Sequence, residues 1–447
     1  MVNRFARILG RFSPESVKVL SNTGWLFFGR VLRMAISLFV GTWIARYLEP
    51  ESFGTLQYSL AFASFFAPLS TAQMGPVITR DLVRNPGHSP GLLGTAFVLQ
   101  LGGGIMAMAL CIAAASWFMT DQQLQILVAI AALKFIFNSL QPIENWFESR
   151  VASKFAVFAE YWAFLIIVLA KAGLVISQAA VVAFAIAIVT ESLLYGVGLL
   201  VFYQRQGQTV RKWHTDWLQM QYLFRESLPL LLSSTACVIY LNIDQVMLGQ
   251  MVDNYAVGIY ASAATLSGAT SFISVIVCSS LYPSIIQARE LGKGAYHQRL
   301  QRFYDLNSGL AYGLIVLLVP GSGWLITQLY GTSYQAAVPI FAVHIWSGLF
   351  TFLGIAQSKW IVSEGLQTFN FYSRLSGLVA NVGLNLWLIP LLGIMGAAIA
   401  TLISYALGGY LFFWLLPATR ENARLLTKAL VLPLRPRAWL DLIRLTP

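Results

Sequence analysis

The chain has 447 residues, 57% hydrophobic and 11% charged, with a mean hydropathy of +0.68 and a formal net charge of +11. Apolar stretches of about 18 residues or more recur along its whole length, which excludes a soluble globular fold and identifies a polytopic membrane protein. The basic residues occupy alternate loops instead of one patch, which excludes a nucleic-acid surface and fits the positive-inside rule.

Residues 1–24 precede the first span. Arg4, Arg7 and Arg11 interrupt the apolar residues there and no small-residue cleavage site follows, so the first span is expected to act as its own insertion signal. Val2, Phe5, Ile8, Leu9 and Phe12 fall on one helical face with the arginines opposite, as in an interfacial helix on an anionic leaflet; a solvated tail is the alternative.

Window by window, hydropathy predicts spans near 25–46, 54–76, 92–117, 123–147, 155–177 and 180–203. A second set follows near 227–250, 256–283, 305–330, 336–361, 369–390 and 394–416. The expected fold is therefore all-α, with about twelve transmembrane helices. Lysine and arginine fall on one side: the N-terminal tail, Arg80 with Arg84, Arg150 with Lys154, Arg205 with Arg211 and Lys212, Arg289 to Arg302, and the C-terminal tail. The other side has Arg46 beside Glu49 and Glu51. Both termini are expected in the cytoplasm. Short polar stretches, QYLFRESL before Pro229 and YPSIIQARELGKGAYHQRLQRFY, are expected to be interfacial amphipathic connectors.

The two halves repeat. Gly54 with Tyr58 after the first span corresponds to Gly258 with Tyr260, at an offset of roughly 205 residues, and AFAIAIVTES near Ala183 corresponds to GAAIATLISY near Gly396. Two six-helix lobes that both start on the cytoplasmic side are parallel repeats, with a site expected in a central cavity at their interface. The expected division is an interfacial segment 1–24, an N-terminal lobe 25–203, a cytoplasmic linker 204–226, a C-terminal lobe 227–416 and a basic cytoplasmic tail 417–447.

Charged residues inside spans are costly and mark substrate or ion paths. Arg30 and Arg33 lie one turn apart in WLFFGRVLRMAISLFVGTWIA, roughly 8 to 12 Å below the membrane surface at about 1.5 Å per residue, which suggests a buried anionic ligand. Snorkelling to the near interface is the alternative, most of all for Arg30. Lys134 lies mid-span, and Asn138, Gln141 and Asn145 continue its helical face. Asn370, Arg374, Asn381 and Asn385 also share one face, with Arg374 near enough to the cytoplasmic end to snorkel. Lys359 reads as an interface anchor. Glu160 and Lys171 share a face but stand about 16 Å apart along the helix, so each needs a partner on another helix. Asp244 is the first candidate and Glu191 the second for a carboxylate that binds a coupling ion. Asp244 read as a structural hydrogen-bond hub is the competing reading.

Gly102, Gly103 and Gly104 have no following lysine and read as a close helix contact or kink, not a phosphate loop. Cys111, Cys237 and Cys278 read as small buried hydrophobes. The four histidines have no mutual ligand spacing, so no metal site is expected. The short outer loops give no place for the catalytic groups of an enzyme.

Three motifs occur in order: ARYLEPESFG, SLPLLLSSTACVIYLNIDQVMLGQMVDNYAVGIYASA and LIPLLGIMGAAIATLISY. Together, over about residues 18–416, they resemble the polysaccharide-biosynthesis flippases, the Wzx-type branch of the multidrug/oligosaccharidyl-lipid/polysaccharide (MOP) exporter superfamily. The resemblance implies a bacterial inner-membrane flippase that moves a polyprenyl-diphosphate-linked oligosaccharide outward by alternating access, without a cofactor, coupled to a proton or sodium gradient if coupled at all. Under that reading Arg30, Arg33, Lys134, Lys171 and Arg374 would meet the diphosphate, and Asn138, Asn381 and Asn385 would line the polar cavity. The resemblance also implies a polysaccharide polymerase and glycosyltransferases as partners. The alternatives are a multidrug or organic-cation antiporter of the same superfamily and a lipid II flippase, although relatives of the latter kind carry fourteen helices.

Overall fold

The computed structural model describes the backbone of residues 14–435 and the side chains of residue 29 and residues 31–435. The expected interfacial face of Val2 to Phe12, the side chain of Arg30, and Arg437 and Arg444 of the tail lie outside the described residues.

The N-terminal half consists of α1 (Pro14–Ser64), α2 (Ala67–Thr71), α3 (Gly75–Arg84), α4 (Ser89–Phe118), α5 (Gln122–Ala132), α6 (Lys134–Phe137), α7 (Gln141–Ser149), α8 (Lys154–Ile176) and α9 (Val181–Arg205). The C-terminal half consists of α10 (Trp217–Met251), α11 (Asn254–Glu290), α12 (Lys293–Leu318), α13 (Ser322–Tyr330), α14 (Ala337–His344), α15 (Ser347–Ser363), α16 (Gln367–Leu392), α17 (Ile394–Ala406), α18 (Phe412–Leu415) and α19 (Arg420–Leu430). No strand occurs among the described residues.

Among the described residues, 10 helices are long and apolar enough to cross a membrane, and the α12–α13 pair, bent by 76°, adds an eleventh. The twelfth pass is hidden inside α1. Glu49 has φ 58° and Pro50 follows it, a backbone that no α-helix continues through. The chain reverses there: Gly29 packs on Tyr161 near the start of α8 and Tyr47 donates to the Ala179 carbonyl beyond its end, whereas Gly54 meets Asn254 and Arg80 meets Tyr222. The first limb of α1 thus climbs from the basic end, and the second limb descends through α2 and α3.

Aspartate caps set several helix starts. The side chains of Asp121, Asp216 and Asp253 accept from the backbone N–H groups of Gln123, Leu218 and Ala256 and so satisfy otherwise unpaired donors. Prolines set breaks: Pro68 and Pro76 follow interruptions in the second pass, and Pro142 follows the 3₁₀ turn Asn138–Leu140 in the fourth. The glycine run packs closely, as expected. A side chain at Gly103 would meet the Leu69 carbonyl, and one at Gly104 the Phe135 carbonyl. Cys111 and Cys278 are buried and Cys237 is half-buried, all as free thiols.

The two lobes meet through α11, which packs along α1, at the end opposite the basic loops. There the repeat closes on itself: a side chain at Gly54 would strike the Asn254 carbonyl, and one at Gly258 the Pro50 carbonyl. Only bare glycine lets the two backbones approach so closely. Gln250 bonds the Tyr58 hydroxyl beside this contact, and the Tyr334 hydroxyl donates to the Ala45 carbonyl at 2.8 Å. At the basic end the linker lies on α4, with the His214 backbone against Gly94 and the Asp216 N–H on Thr95 at 3.1 Å. Arg80 joins α3 to α10 through Tyr222 at 2.6 Å and Glu226 at 3.3 Å.

Two expectations need correction. The segments around Glu226 and Arg289 are not separate interfacial connectors but continuations of α10 and α11, because Pro229 and Pro283 are accommodated inside unbroken helices. Within the stretch expected to be a basic tail, α19 is docked on α12 by Asn422 with Tyr304 at 2.7 Å, Ala429 with Ser308 at 2.7 Å and Leu430 with Tyr312 at 2.6 Å. Arg435 then pairs with the buried Asp305 at 3.2 Å.

Gly258→Ala puts a methyl group into the Pro50 carbonyl and is expected to cost about 1–3 kcal/mol. It should lower the melting temperature in detergent, whereas Gly313→Ala, where nothing lies within 4 Å, should not.

Candidate functional site

The fourth pass, Gln122–Ser149, carries Lys134 where its hydrogen-bonding tightens, while Leu133 and Asn138 keep right-handed helical backbone. Helix α5 stops at Ala132, α6 holds Lys134, and a 3₁₀ turn follows before α7. The expected polar stripe below Lys134 is instead used between helices: Asn138 Nδ2 donates to Ser70 Oγ on α2 at 2.9 Å, so Asn138 ties two interrupted passes together.

Around Lys134 lies a charge network. Arg33, on the first limb of α1, donates through Nη1 to Glu160 of α8 and through Nη2 to Glu191 of α9 at 3.4 Å. Lys171 of α8 reaches the second oxygen of Glu191 at 3.7 Å. Lys134 lies within coulombic range of the same carboxylate. Glu160 and Lys171 thus each find a partner on another helix, as their separation along α8 requires. The Phe164 ring lies 5.0 Å from the Arg33 guanidinium carbon. One turn along the lobe, Glu144 of α7 accepts from Tyr195 of α9 and feels the charge of Glu160. Arg33 and Glu160 retain 28% and 45% of their side-chain exposure, so protein atoms do not cover the network completely.

A second polar centre lies inside the C-terminal lobe. Asp244 of α10 is buried, and its carboxylate accepts from Asn385 Nδ2 at 2.5 Å, Thr401 Oγ1 at 2.7 Å and the Tyr260 hydroxyl at 2.8 Å. Asn385 also donates to Asn381 Oδ1 at 3.0 Å, and Asn381 to Ser404 Oγ at 3.2 Å. These partners are neutral groups from three other helices, α11, α16 and α17, and they offset the cost of a buried acid. Beside them is a cavity of ≈ 430 Å³ whose lining includes Asp244, Tyr260, His344, Gln357 and Arg374. His344 Nδ1 is 2.7 Å from Ser267 Oγ in the same wall.

The sequence grouped Arg33, Lys134, Lys171 and Arg374 around one ligand. Arg374 lies elsewhere: α16 packs on α10 and α17 within its own lobe, so Arg374 lines the cavity of Asp244 and approaches Cys237 Sγ at 3.5 Å. Asn381 and Asn385 are fully buried behind that cavity, where they serve the Asp244 network and do not line open space. Glu191, expected as a coupling carboxylate, is committed to Arg33 and Lys171. Lys359 lies 5.5 Å from the Tyr282 ring. Sequence reasoning gave no role to Glu160, and it missed Glu144, Tyr195, Tyr260 and Thr401. A carboxylate inside an apolar span was the available signal for the two acids; nothing in the pattern marked the hydroxyls.

Comparison with known proteins places this architecture. Residues 19–289 match the family model described as polysaccharide biosynthesis protein. The probable flippase AglR of Haloferax volcanii is 30% identical over 186 residues, 39% of this chain. The matched region spans 37% of that protein's own length. The membrane protein YabM of Bacillus subtilis is 26% identical over 378 residues, covering 77% of this chain and 70% of YabM. Among solved structures, an inward-facing multidrug resistance MATE family transporter of the MOP superfamily superposes with a TM-score of 0.66 at 13% identity, covering 89% of this chain and 96% of that one. The lipid II flippase MurJ in an inward closed conformation superposes with a TM-score of 0.65 at 12% identity, covering 94% and 93%. At those identities the likeness is one of fold alone. With the family model matching more than half of its residues, the chain belongs to the polysaccharide biosynthesis protein family.

Proposed function

We propose that this protein is a flippase that carries a polyprenyl-diphosphate-linked oligosaccharide from the cytoplasmic to the periplasmic leaflet of a bacterial inner membrane, with both termini in the cytoplasm. The observation that carries the proposal is the convergence of Arg33, Lys134 and Lys171 from α1, α6 and α8 on one partly open cluster. A diphosphate brings about two negative charges into a medium where bare charge is expensive, so its carrier needs fixed cations in place along the path. Arginine suits this task because its planar fork of donors matches phosphate oxygens in pairs.

Alternating access supplies the motion. The Gly54–Gly258 contact joins the lobes at the end opposite the basic loops, and it is the contact that must open for cargo to leave on that side. Asp244 carries the coupling ion, a proton or sodium, in this scheme. Its carboxylate is buried among neutral donors, and the Asn385 Oδ1 beside it is buried without a partner among the described residues, so the cluster has oxygen ligands to offer. Glycosyltransferases that build the cargo and a polymerase that consumes it are the expected partners.

Arg33→Gln combined with Lys134→Gln should abolish export of the surface polymer while leaving membrane abundance unchanged, as read by polymer staining and immunoblotting; full export by the double variant would contradict the proposal. Asp244→Asn keeps the size of the side chain and should leave the protein folded. Flipping in proteoliposomes should then no longer accelerate under an imposed proton or sodium gradient, and unaltered acceleration would remove Asp244 from the coupling role.

A further inference from the structure

Two of the cations assigned to the diphosphate, Arg33 and Lys171, are already occupied. Arg33 is shared by two carboxylates from two different helices, Glu160 on α8 and Glu191 on α9, and Glu191 is shared in turn with Lys171. The arrangement presents two anionic groups, side by side, to one guanidinium and one ammonium. That is also what a diphosphate presents, with two linked anionic phosphoryl groups. Resting on the diphosphate reading above, we propose that Glu160 and Glu191 are internal counter-anions that hold the place of the cargo's diphosphate in the empty carrier and are displaced by it.

Charge accounting supports this. Arg33, Lys134 and Lys171 face Glu160 and Glu191, while Glu144, held by Tyr195, lies within range of Glu160. Without the carboxylates, three cations would stand uncompensated inside the membrane in every cargo-free cycle, at high cost. With them, the empty site is close to neutral and can return across the cycle. Glu160 and Glu191 keep 45% and 25% of their side-chain exposure, so the protein does not wall either carboxylate in when it turns away from Arg33. The same competition keeps the cargo from binding so tightly that it is not released. Glu160 and Glu191 thereby set the affinity of the site without touching the cargo.

The test is binding of inorganic pyrophosphate to purified full-length protein at a fixed pH of about 7.5, by calorimetry. Each variant is first checked for a cooperative melting transition. Glu160→Gln keeps shape and removes charge, and it should tighten pyrophosphate binding by about tenfold, the effect of one lost competing ion pair in a partly desolvated site. Glu191→Gln should tighten it as well, and it carries the test alone if the first variant does not fold. Arg33→Gln should lose binding. Unchanged or weaker binding by folded Glu160→Gln and Glu191→Gln, with Arg33→Gln still defective, would overturn the counter-anion role while leaving the diphosphate site in place. Undiminished binding by Arg33→Gln would remove both.

Discussion

An ion held within a membrane must find a counter-ion, donors or water, and the charged residues of this protein are arranged by that constraint. In the N-terminal lobe the solution is ionic: Arg33 and Lys171 are drawn onto Glu160 and Glu191 across three helices. In the C-terminal lobe it is neutral: Asp244 is met by one amide and two hydroxyls. The two repeats share a backbone plan but have diverged in polar chemistry. One half holds its charges in ion pairs, and the other holds a single acid among neutral donors. A carrier that handles an anionic cargo and a coupling cation has use for both kinds of centre, one in each lobe.

The lobes are joined by the contact of Gly54 with Asn254 and of Gly258 with Pro50. Packing of small residues lets the backbones of the second and eighth passes meet, and beside them the buried Tyr58 ring lies against Gly249 while Phe53 packs on Tyr334. The hydrogen bond from Gln250 to Tyr58 sits beside it as a polar closure. The glycines therefore make a close backbone joint, held on either side by buried aromatic residues of both lobes. The docking of α19 on α12 through Asn422, Ala429, Leu430 and the Arg435–Asp305 pair adds mass to one face of the C-terminal lobe and none to the joint.

Much of this was legible in the residues. Long apolar runs and the alternation of basic loops were enough to count the passes, because hydrophobic length is a local property. The pairing of Gly54 with Gly258 as equivalent positions was also visible, but their contact was not, since a repeat says which residues correspond and not which ones touch. The polar residues were harder. A stripe such as Asn370, Arg374, Asn381 and Asn385 defines a helix face, yet which neighbour that face meets depends on how α16 packs; it meets α10 and α17, so Arg374 lies apart from Arg33. Asn138 went to Ser70 for the same reason. Glu160 and Lys171 show the opposite case, where distance along one helix already required partners on others.

The most direct measurement is an experimental structure of the protein with a polyprenyl-diphosphate glycan bound. The account predicts the diphosphate within hydrogen-bond distance of Arg33 and at least one of Lys134 and Lys171, with the Glu160 carboxylate turned away from Arg33. A diphosphate lodged beside Arg374 in the C-terminal cavity, with Arg33 still paired to Glu160, would contradict it.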